Sequence, residues 1–420
     1  MANPVVPARG MRDIMPAEKK KRDRVLGIIR DVYRQAGFDE IETPAVEPLT
    51  RLLSNQGGEN EKMIFEIMRR GLPADEPVIA RDASDLGLRY DLTVPLTRFY
   101  ATHAAELPRV FRALQTGPVW RAERPQKGRF RQFRQCDIDI IGDEHITAEV
   151  DLLVTTLAAF SALGMAEDIR VLLGDRRFLV DLLTAVGVES EHHDAALIAL
   201  DKSDKIGADG VRAELLERGL CTPDQADELV SLNIDAEAAL AAGEVSLPSG
   251  KTVSLYDLPA IVAAVRALDP TCQIEFDPTL VRGMGYYTGP IFEVAHRYRN
   301  FSVAGGGRYD HVVGKWLGRE VPACGFSIGF ERIIDLVDLP EEQEDRVALL
   351  YKPGSDPVPV YRLRAELQAS GHAVGLVVPP RRLGGQFFES LAADGYSHFV
   401  DSRREDATLD DLRPVQRDQD

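Results

Sequence analysis

Apolar residues first recur at helical spacing between Pro16 and Gly37. Val25, Ile28, Ile29, Val32 and Tyr33 form one stripe, proline stands in the first turn and glycine at the stop, which together predict a packing helix. Phe38 to Pro44 reads as a short strand ended by its proline. From Arg51 the chain is polar and punctuated by glycine, a rim that gives way to a second strand at Met63 to Met68. Leu88 to Thr93 alternates, with Leu88, Tyr90 and Leu92 on one side and Arg89, Asp91 and Thr93 on the other; Pro95 then opens a helix to about Ala105. A plainer role for Asp91 and Thr93 is to cap that helix.

The most informative alternation lies in PVWRAERPQKGRFRQFRQCDIDIIG, Pro118 to Gly142. Cys136, Ile138 and Ile140 face one side of a strand and Gln135, Asp137 and Asp139 the other. Arg121, Arg124, Lys127, Arg129 and Arg131 precede them, so a hairpin here sets a cationic tip beside an acidic, amide-bearing surface. That pairing suits a ligand with a polyphosphate at one end and an amine at the other. The bland alternative is an amphipathic hairpin in water.

Beyond Gly142, Thr147 to Leu163 is an apolar-rich helix and Ile169 to Leu173 a buried strand. Helical patterns dominate from Asp175 to about Val265, with strand character only near Leu247 to Leu255, as in a helical insertion within a sheet domain. Strands return at Thr279 to Glu293 and at Phe301 to Asp310, where Gly305, Gly306 and Gly307 admit close backbone approach. The adjacent Tyr286 and Tyr287 of such a strand would point to opposite faces, one into the core. Cys324 to Val337 is a strand turning into a helix that buries Phe330, Ile333, Ile334 and Val337 and leaves Arg332 aside. Acidic residues 338–345 form a linker, Arg346 to Val400 alternates like a small α/β domain, and the last twenty residues are frayed.

Composition narrows the class. The chain has 420 residues, 44% hydrophobic and 28% charged, as in a soluble globular enzyme of two or three domains. Its four cysteines are scattered without CxxC or Cys/His spacing, which argues against a disulfide framework or zinc site and fits a reducing cytoplasm. No apolar signal core and no run near 18 apolar residues points to secretion or a membrane. The net charge of −17 restricts any nucleic acid to a local basic patch.

Several windows together resemble the class II aminoacyl-tRNA synthetases, and among them the histidyl-tRNA synthetase family. Phe38 to Pro44 resembles motif 1 of the class, RAERPQKGRFRQF with the strand to Gly142 resembles motif 2, and GFSIGFERI resembles motif 3. LVRGMGYYTGPIFE at Leu280 to Glu293 and AGGGRYD at Ala304 to Asp310 are similar to the two histidine-specific motifs. RYDLTVPLTRF, RGMRDIMP and DKSDKIG fit the same family. The resemblance implies an α+β fold: a class II antiparallel-sheet catalytic domain over residues 1–174 and 266–337, a helical insertion over 175–265, a linker over 338–345, and a shortened anticodon-binding-like α/β domain over 346–420.

It also implies roles. Arg121 and Arg282 match arginines that meet charge on the α-phosphate of ATP; Arg129, Phe133, Arg332 and, as a water-mediated ligand of Mg²⁺, Glu123 complete the ATP site. Asp91, Thr93 and Gln135 match contacts to the α-amino group of L-histidine, Asp139 and Tyr287 contacts to its imidazole, with Tyr286 and Arg282 beside them. Arg124 and Gln126 fall toward the acceptor end of tRNA(His). A homodimer is implied through motif 1, and no metal cage made of protein ligands alone.

Two departures stand out. Gly285 occupies a place where many family members carry an acidic residue, and the C-terminal stretch, though it keeps RRLGGQF, has ten Lys/Arg against eleven Asp/Glu from Arg346 to Asp420 and stops short of a final strand and helix. Besides histidine ligation, two alternatives stay open: a non-catalytic paralogue such as the ATP phosphoribosyltransferase regulatory subunit, and a synthetase-like enzyme with a non-tRNA acceptor. Retention of Arg121, Arg282 and Arg332 weighs against the former.

Overall fold

Helix α1 (Pro16–Gln35) forms as its apolar stripe predicts, burying Val25, Leu26, Ile29 and Tyr33. Gly37 then takes φ +84°, a left-handed turn that costs glycine little. The computed structural model describes residues 5–53, 63–72, 83–124, 130–281, 286–299, 301–340, 345–404 and 406–415. The chain divides into two compact units, Met1–Asp338 and Leu339–Asp420.

In the first unit, strand β1 (Asp39–Glu40) is shorter than the Phe38 to Pro44 strand expected. Past it, the carbonyls of Thr43 and Ala45 are taken by Arg89 instead of a neighbouring strand. Next come β2 (Val46–Pro48), α2 (Leu49–Leu53), β3 (Glu66–Met68) and β4 (Ser84–Leu88), whose strands pair antiparallel in the order β2, β4, β3. The strand read across Leu88 to Thr93 is therefore incorrect: β4 ends at Leu88, and α3 (Thr93–His103) begins at Thr93. Asp91 causes the switch. Its Oδ1 accepts the Val94 N–H at 3.0 Å, and a side chain that satisfies a first-turn donor starts a helix.

The long strands β5 (Phe111–Trp120) and β6 (Gln132–Ile141) form the hairpin, followed by α4 (Thr147–Ala162) and β7 (Ile169–Asp175). Six described helices then run in series: α5 (Arg176–Val186), α6 (His193–Leu200), α7 (Ser203–Glu217), α8 (Pro223–Ser231), α9 (Ala236–Ala242) and α10 (Leu258–Leu268). A small hairpin, β8 (Glu244–Ser246) with β9 (Thr252–Ser254), interrupts them. Strand β10 (Ile274–Phe276) was not foreseen; three residues are too few to display a period. After it come β11 (Pro290–His296), β12 (Ser302–Arg308), α11 (Asp310–Leu317), β13 (Ala323–Gly329) and the single-turn α12 (Phe330–Ile333). Among the described residues, the strand expected from Thr279 pairs only from Pro290. Ahead of that point Asp277 folds the chain into a turn by accepting the Thr279 N–H at 2.8 Å.

Among the described residues, eight strands form one sheet in the order β1, β5, β6, β13, β12, β11, β7, β10. The inner six are antiparallel and the two edges pair parallel. Strand β6 thus lies between β5 and β13, which overturns the solvated-hairpin alternative. Cys136, Ile138 and Ile140 are fully buried, and α4 covers β6 and β13 while α1 packs on α4 and β5.

The second unit contains β14 (Arg346–Leu350), α13 (Pro357–Ala369), β15 (Ala373–Val377), α14 (Gly385–Ala393), β16 (His398–Asp401) and β17 (Arg413–Pro414), with sheet order β15, β14, β16, β17. Alternate residues of β14 bury opposite faces: Val347 and Leu349 against Leu363 and Leu367 of α13, Ala348 and Leu350 against Leu391 of α14. The expectation of frayed final residues fails up to residue 415. Val415 is buried and its N–H donates to the Ser397 carbonyl at 2.8 Å, so β17 is pinned along β16.

Candidate active site

Successive residues of one parity on β6, Phe133, Gln135, Asp137 and Asp139, share a face of the sheet. They line a cavity of about 460 Å³ opposite the face covered by α4. Six residues of strand span about 20 Å, so this row runs from an aromatic ring at one end to carboxyls at the other. The neighbouring strands leave it room. Asp139 is flanked in register by Ala113 and Gly325, and Gln135 by Gly117 and Gly329. A Cβ on Gly325 would collide with Asp139 Oδ1, and one on Gly307 would press the Tyr287 ring.

The charged residues near Phe133 come from the chain that follows β5 and β13. Arg121, at the end of β5, lies over the Phe133 ring with Cζ 5.1 Å from the centroid, and its Nε donates to the Tyr90 carbonyl at 3.0 Å. Arg332 leaves α12 and donates to the Ser302 carbonyl of β12. Beside it Glu331 is held by Arg22 at 2.5 and 2.7 Å and by Arg12 at 3.3 Å; these contacts keep its carboxyl below the ordinary range despite burial. Glu123 also lines the cavity.

At the other end three carboxyls meet. Asp91 is pushed up by burial and partly held down by the Val94 N–H and Arg121. Burial and the neighbouring Asp139 push Asp137 well up. Asp139 is raised by burial to about 7, and would be higher still without the Tyr309 hydroxyl, which donates to its Oδ1 at 2.6 Å. Tyr286 and Tyr287 stand together here, hydroxyls 3.2 Å apart and ring centroids 4.4 Å apart. Burial raises the Tyr286 phenol to about 12. The expectation that one of the two rings turns to the opposite face is wrong: both line the cavity, because residues 286–289 are not a strand and no two-residue alternation applies.

Of the residues singled out in the sequence, Arg121, Glu123, Phe133, Arg332, Asp91, Thr93, Gln135, Asp139, Tyr286 and Tyr287 all line this one cavity. Arg124 is exposed and does not line it. Arg282, Arg129 and Gln126, with Gly285, lie outside the described residues. Four participants were missed. Asp137 shares the parity of Gln135 and Asp139, so its signal was present in the strand pattern. Tyr309 and Gly325 meet Asp139 only because β12 and β13 pair beside β6. Glu331 was masked by its neighbour Arg332.

No helix of the described residues is long and apolar enough to cross a membrane. Arg121 and Arg332 share one cavity with a cluster of carboxyls and phenols on a six-stranded antiparallel core. The comparisons identify the family. The chain is 46% identical to the histidine–tRNA ligase of Leifsonia xyli subsp. xyli, over 99% of both chains. It is 43% identical to the probable histidine–tRNA ligase of Tropheryma whipplei, over 94% of this chain and 95% of that one. Its fold matches the crystal structure of histidyl-tRNA synthetase from Nostoc sp. PCC 7120 with a TM-score of 0.74 at 25% identity, covering 95% of this chain and 91% of that one. A structure from Bacillus halodurans titled as an ATP phosphoribosyltransferase regulatory subunit/histidyl-tRNA synthetase shares the fold, at a TM-score of 0.71 and 20% identity. Since the family model described as histidyl-tRNA synthetase also matches residues 10–333, which carry every strand of the large sheet and the whole cavity, the chain belongs to the histidyl-tRNA synthetase family.

Proposed function

We propose that the chain is a histidine–tRNA ligase: L-histidine and ATP give histidyl-adenylate and pyrophosphate, and the terminal ribose of tRNA(His) then takes the acyl group. One observation carries the reading. A single cavity holds Arg121, Arg332 and the Phe133 ring together with Asp91, Gln135, Asp139 and Tyr287. The regulatory-paralogue reading is not favoured, because the relatives matched along the whole chain bear the ligase name.

The chemistry follows from what each end can stabilise. Attack of the histidine carboxylate on the α-phosphate builds negative charge on its oxygens, and a guanidinium fixed in advance meets that charge without reorganisation. Arg121 is so fixed by the Tyr90 carbonyl and the Phe133 face; Arg282 is the second arginine for this step. Arg332 and Phe133 receive the adenine. Asp91, Thr93 and Gln135 take the ammonium, and Asp139 with Tyr287 takes the imidazole, so side chains without a ring donor and acceptor leave buried groups unpaired and are rejected.

The arginines bring ATP in together with Mg²⁺, which prefers oxygen ligands and keeps several waters. Glu123 supplies a hard oxygen donor in the cavity wall, whereas both oxygens of Glu331 are already taken by Arg22. The protein works as a homodimer in the cytoplasm. Val46 and Leu86, which share one face of the β2–β4–β3 sheet, are 39% and 38% exposed, and a second copy would cover them. The unpaired cysteines suit a reducing compartment.

Histidine-dependent ATP–pyrophosphate exchange followed by charging of a tRNA(His) transcript tests the reading. Exchange without charging would move the acceptor away from tRNA, and absence of both would refute ligase activity. Arg282→Ala should lower exchange by roughly 10² to 10³ with histidine binding nearly intact; a destabilised variant with normal residual turnover would remove Arg282 from the mechanism.

A further inference from the structure

Three carboxyls face the substrate end of the cavity, and two of them are already engaged. Asp91 Oδ1 holds the Val94 N–H, and Asp139 Oδ1 holds the Tyr309 hydroxyl. Asp137 is different: it is 3% exposed, and its Oδ1 has no hydrogen-bond partner among the described residues. Its Oδ2 lies 3.4 Å from Gln135 Nε2, which also donates to Ser327 Oγ at 3.1 Å. The Gln135 amide thus bridges β6 and β13, where Asp137 and Ser327 are register partners.

The bridge fixes which way the amide faces. Gln135 turns its NH₂ toward both of them. That leaves Gln135 Oε1 as the free side of the amide, and it too is buried without a partner among the described residues. We propose that Asp137 is a positioning residue of this site: together with Ser327 it fixes the Gln135 amide with its oxygen toward the substrate ammonium, and it supplies the buried negative charge that balances that ammonium. The inference rests on the histidine-binding reading given above.

A proton linkage follows. The groups around Asp137 are Asp139 and Cys136 on its own strand, Asp91 and Arg89 ahead of α3, Arg121 after β5, and the phenols of Tyr33 and Tyr286. Burial and the other carboxyls favour the protonated form of Asp137 in the empty site. An ammonium arriving nearby favours the ionised form. The proton leaves to solvent as the substrate enters, so histidine binding releases it and affinity rises with pH across the window between the empty-site and occupied-site values. Asp139, at about 7 in the empty site, contributes separately.

The test is histidine titration calorimetry of the full chain near pH 7, in two buffers of different ionisation enthalpy, beside pyrophosphate-exchange kinetics. Wild type should release protons. Asp137→Asn should release about one fewer and raise the histidine KM about tenfold, as for one lost contact to a charged group, with kcat changed less than about threefold. Ser327→Ala should raise KM less and leave the proton count unchanged. Equal proton release by wild type and Asp137→Asn, or a parallel fall in kcat and melting temperature with KM unchanged, would overturn the proposal. If Asp137→Asn does not fold, Ser327→Ala together with Gln135→Glu decides. Their KM values must both rise with ATP KM unmoved, and a normal histidine KM in both would overturn it. Wild type that neither binds histidine nor exchanges pyrophosphate would instead sink the ligase reading beneath it.

Discussion

Asp139 owes its properties to two neighbours that act in opposite senses. Burial raises its carboxyl to about 7, and the Tyr309 hydroxyl limits the rise by bonding the ionised form. Tyr309→Phe should therefore push Asp139 further up, weakening histidine capture at pH 7 and restoring it as pH rises past the new value. A histidine KM profile from pH 6 to 9 reads this directly, and an unshifted profile would show that Tyr309 only fills space. The same burial has a stability signature. A carboxyl whose pKa is higher in the folded chain than in the unfolded one binds more protons when folded, so stability falls as pH rises from about 4 to about 7. Asp139→Asn removes that loss. Its unfolding free energy should match wild type near pH 3.5 and exceed it at pH 8 by up to a few kcal/mol, read by chemical denaturation at the two pH values, while histidine use collapses.

At the scale of elements, the start of α3 combines a structural and a binding task in one side chain. Asp91 satisfies the Val94 N–H and also lines the cavity. The two tasks separate by substitution. Asn caps nearly as well as Asp, so Asp91→Asn should keep stability within about 0.5 kcal/mol, whereas Asp91→Ala should lose about 1 kcal/mol. Both should raise the histidine KM, because both remove the negative charge. Chemical denaturation beside exchange kinetics checks the pair, and a normal KM in the Asn variant would confine Asp91 to capping. The short β1 and the late start of β11 teach the same lesson: Arg89 and Asp277 draw backbone groups into local bonds that a strand would otherwise use.

For the whole molecule, the uncovered apolar face at Val46 and Leu86 and the acidic net charge of −17 bear on association. Like-charged chains attract only where apolar contact outweighs repulsion, so dimerisation should strengthen with added salt as that repulsion is screened. Light scattering at micromolar concentration should give the mass of two chains, and Leu86→Asp should shift it toward one. An active monomer at that concentration would remove the dimer.

Strict alternation from Phe133 to Ile141 settled by itself which side chains share a face, and helical spacing settled α1, α4 and the buried stripe after Cys324. Those are local properties, fixed by the two-residue and 3.6-residue periods of the backbone. The motif windows likewise contain ten of the residues that line the cavity. Pattern could not say that Leu88 to Thr93 leaves its strand for a helix, since a capping carboxylate competes with sheet pairing at equal cost in sequence terms. Nor could it place Tyr286 and Tyr287 together, or bring Tyr309 to Asp139 across 170 positions. Those contacts depend on which strands lie next to β6, and neighbour order in a sheet is decided by the packing of the whole chain.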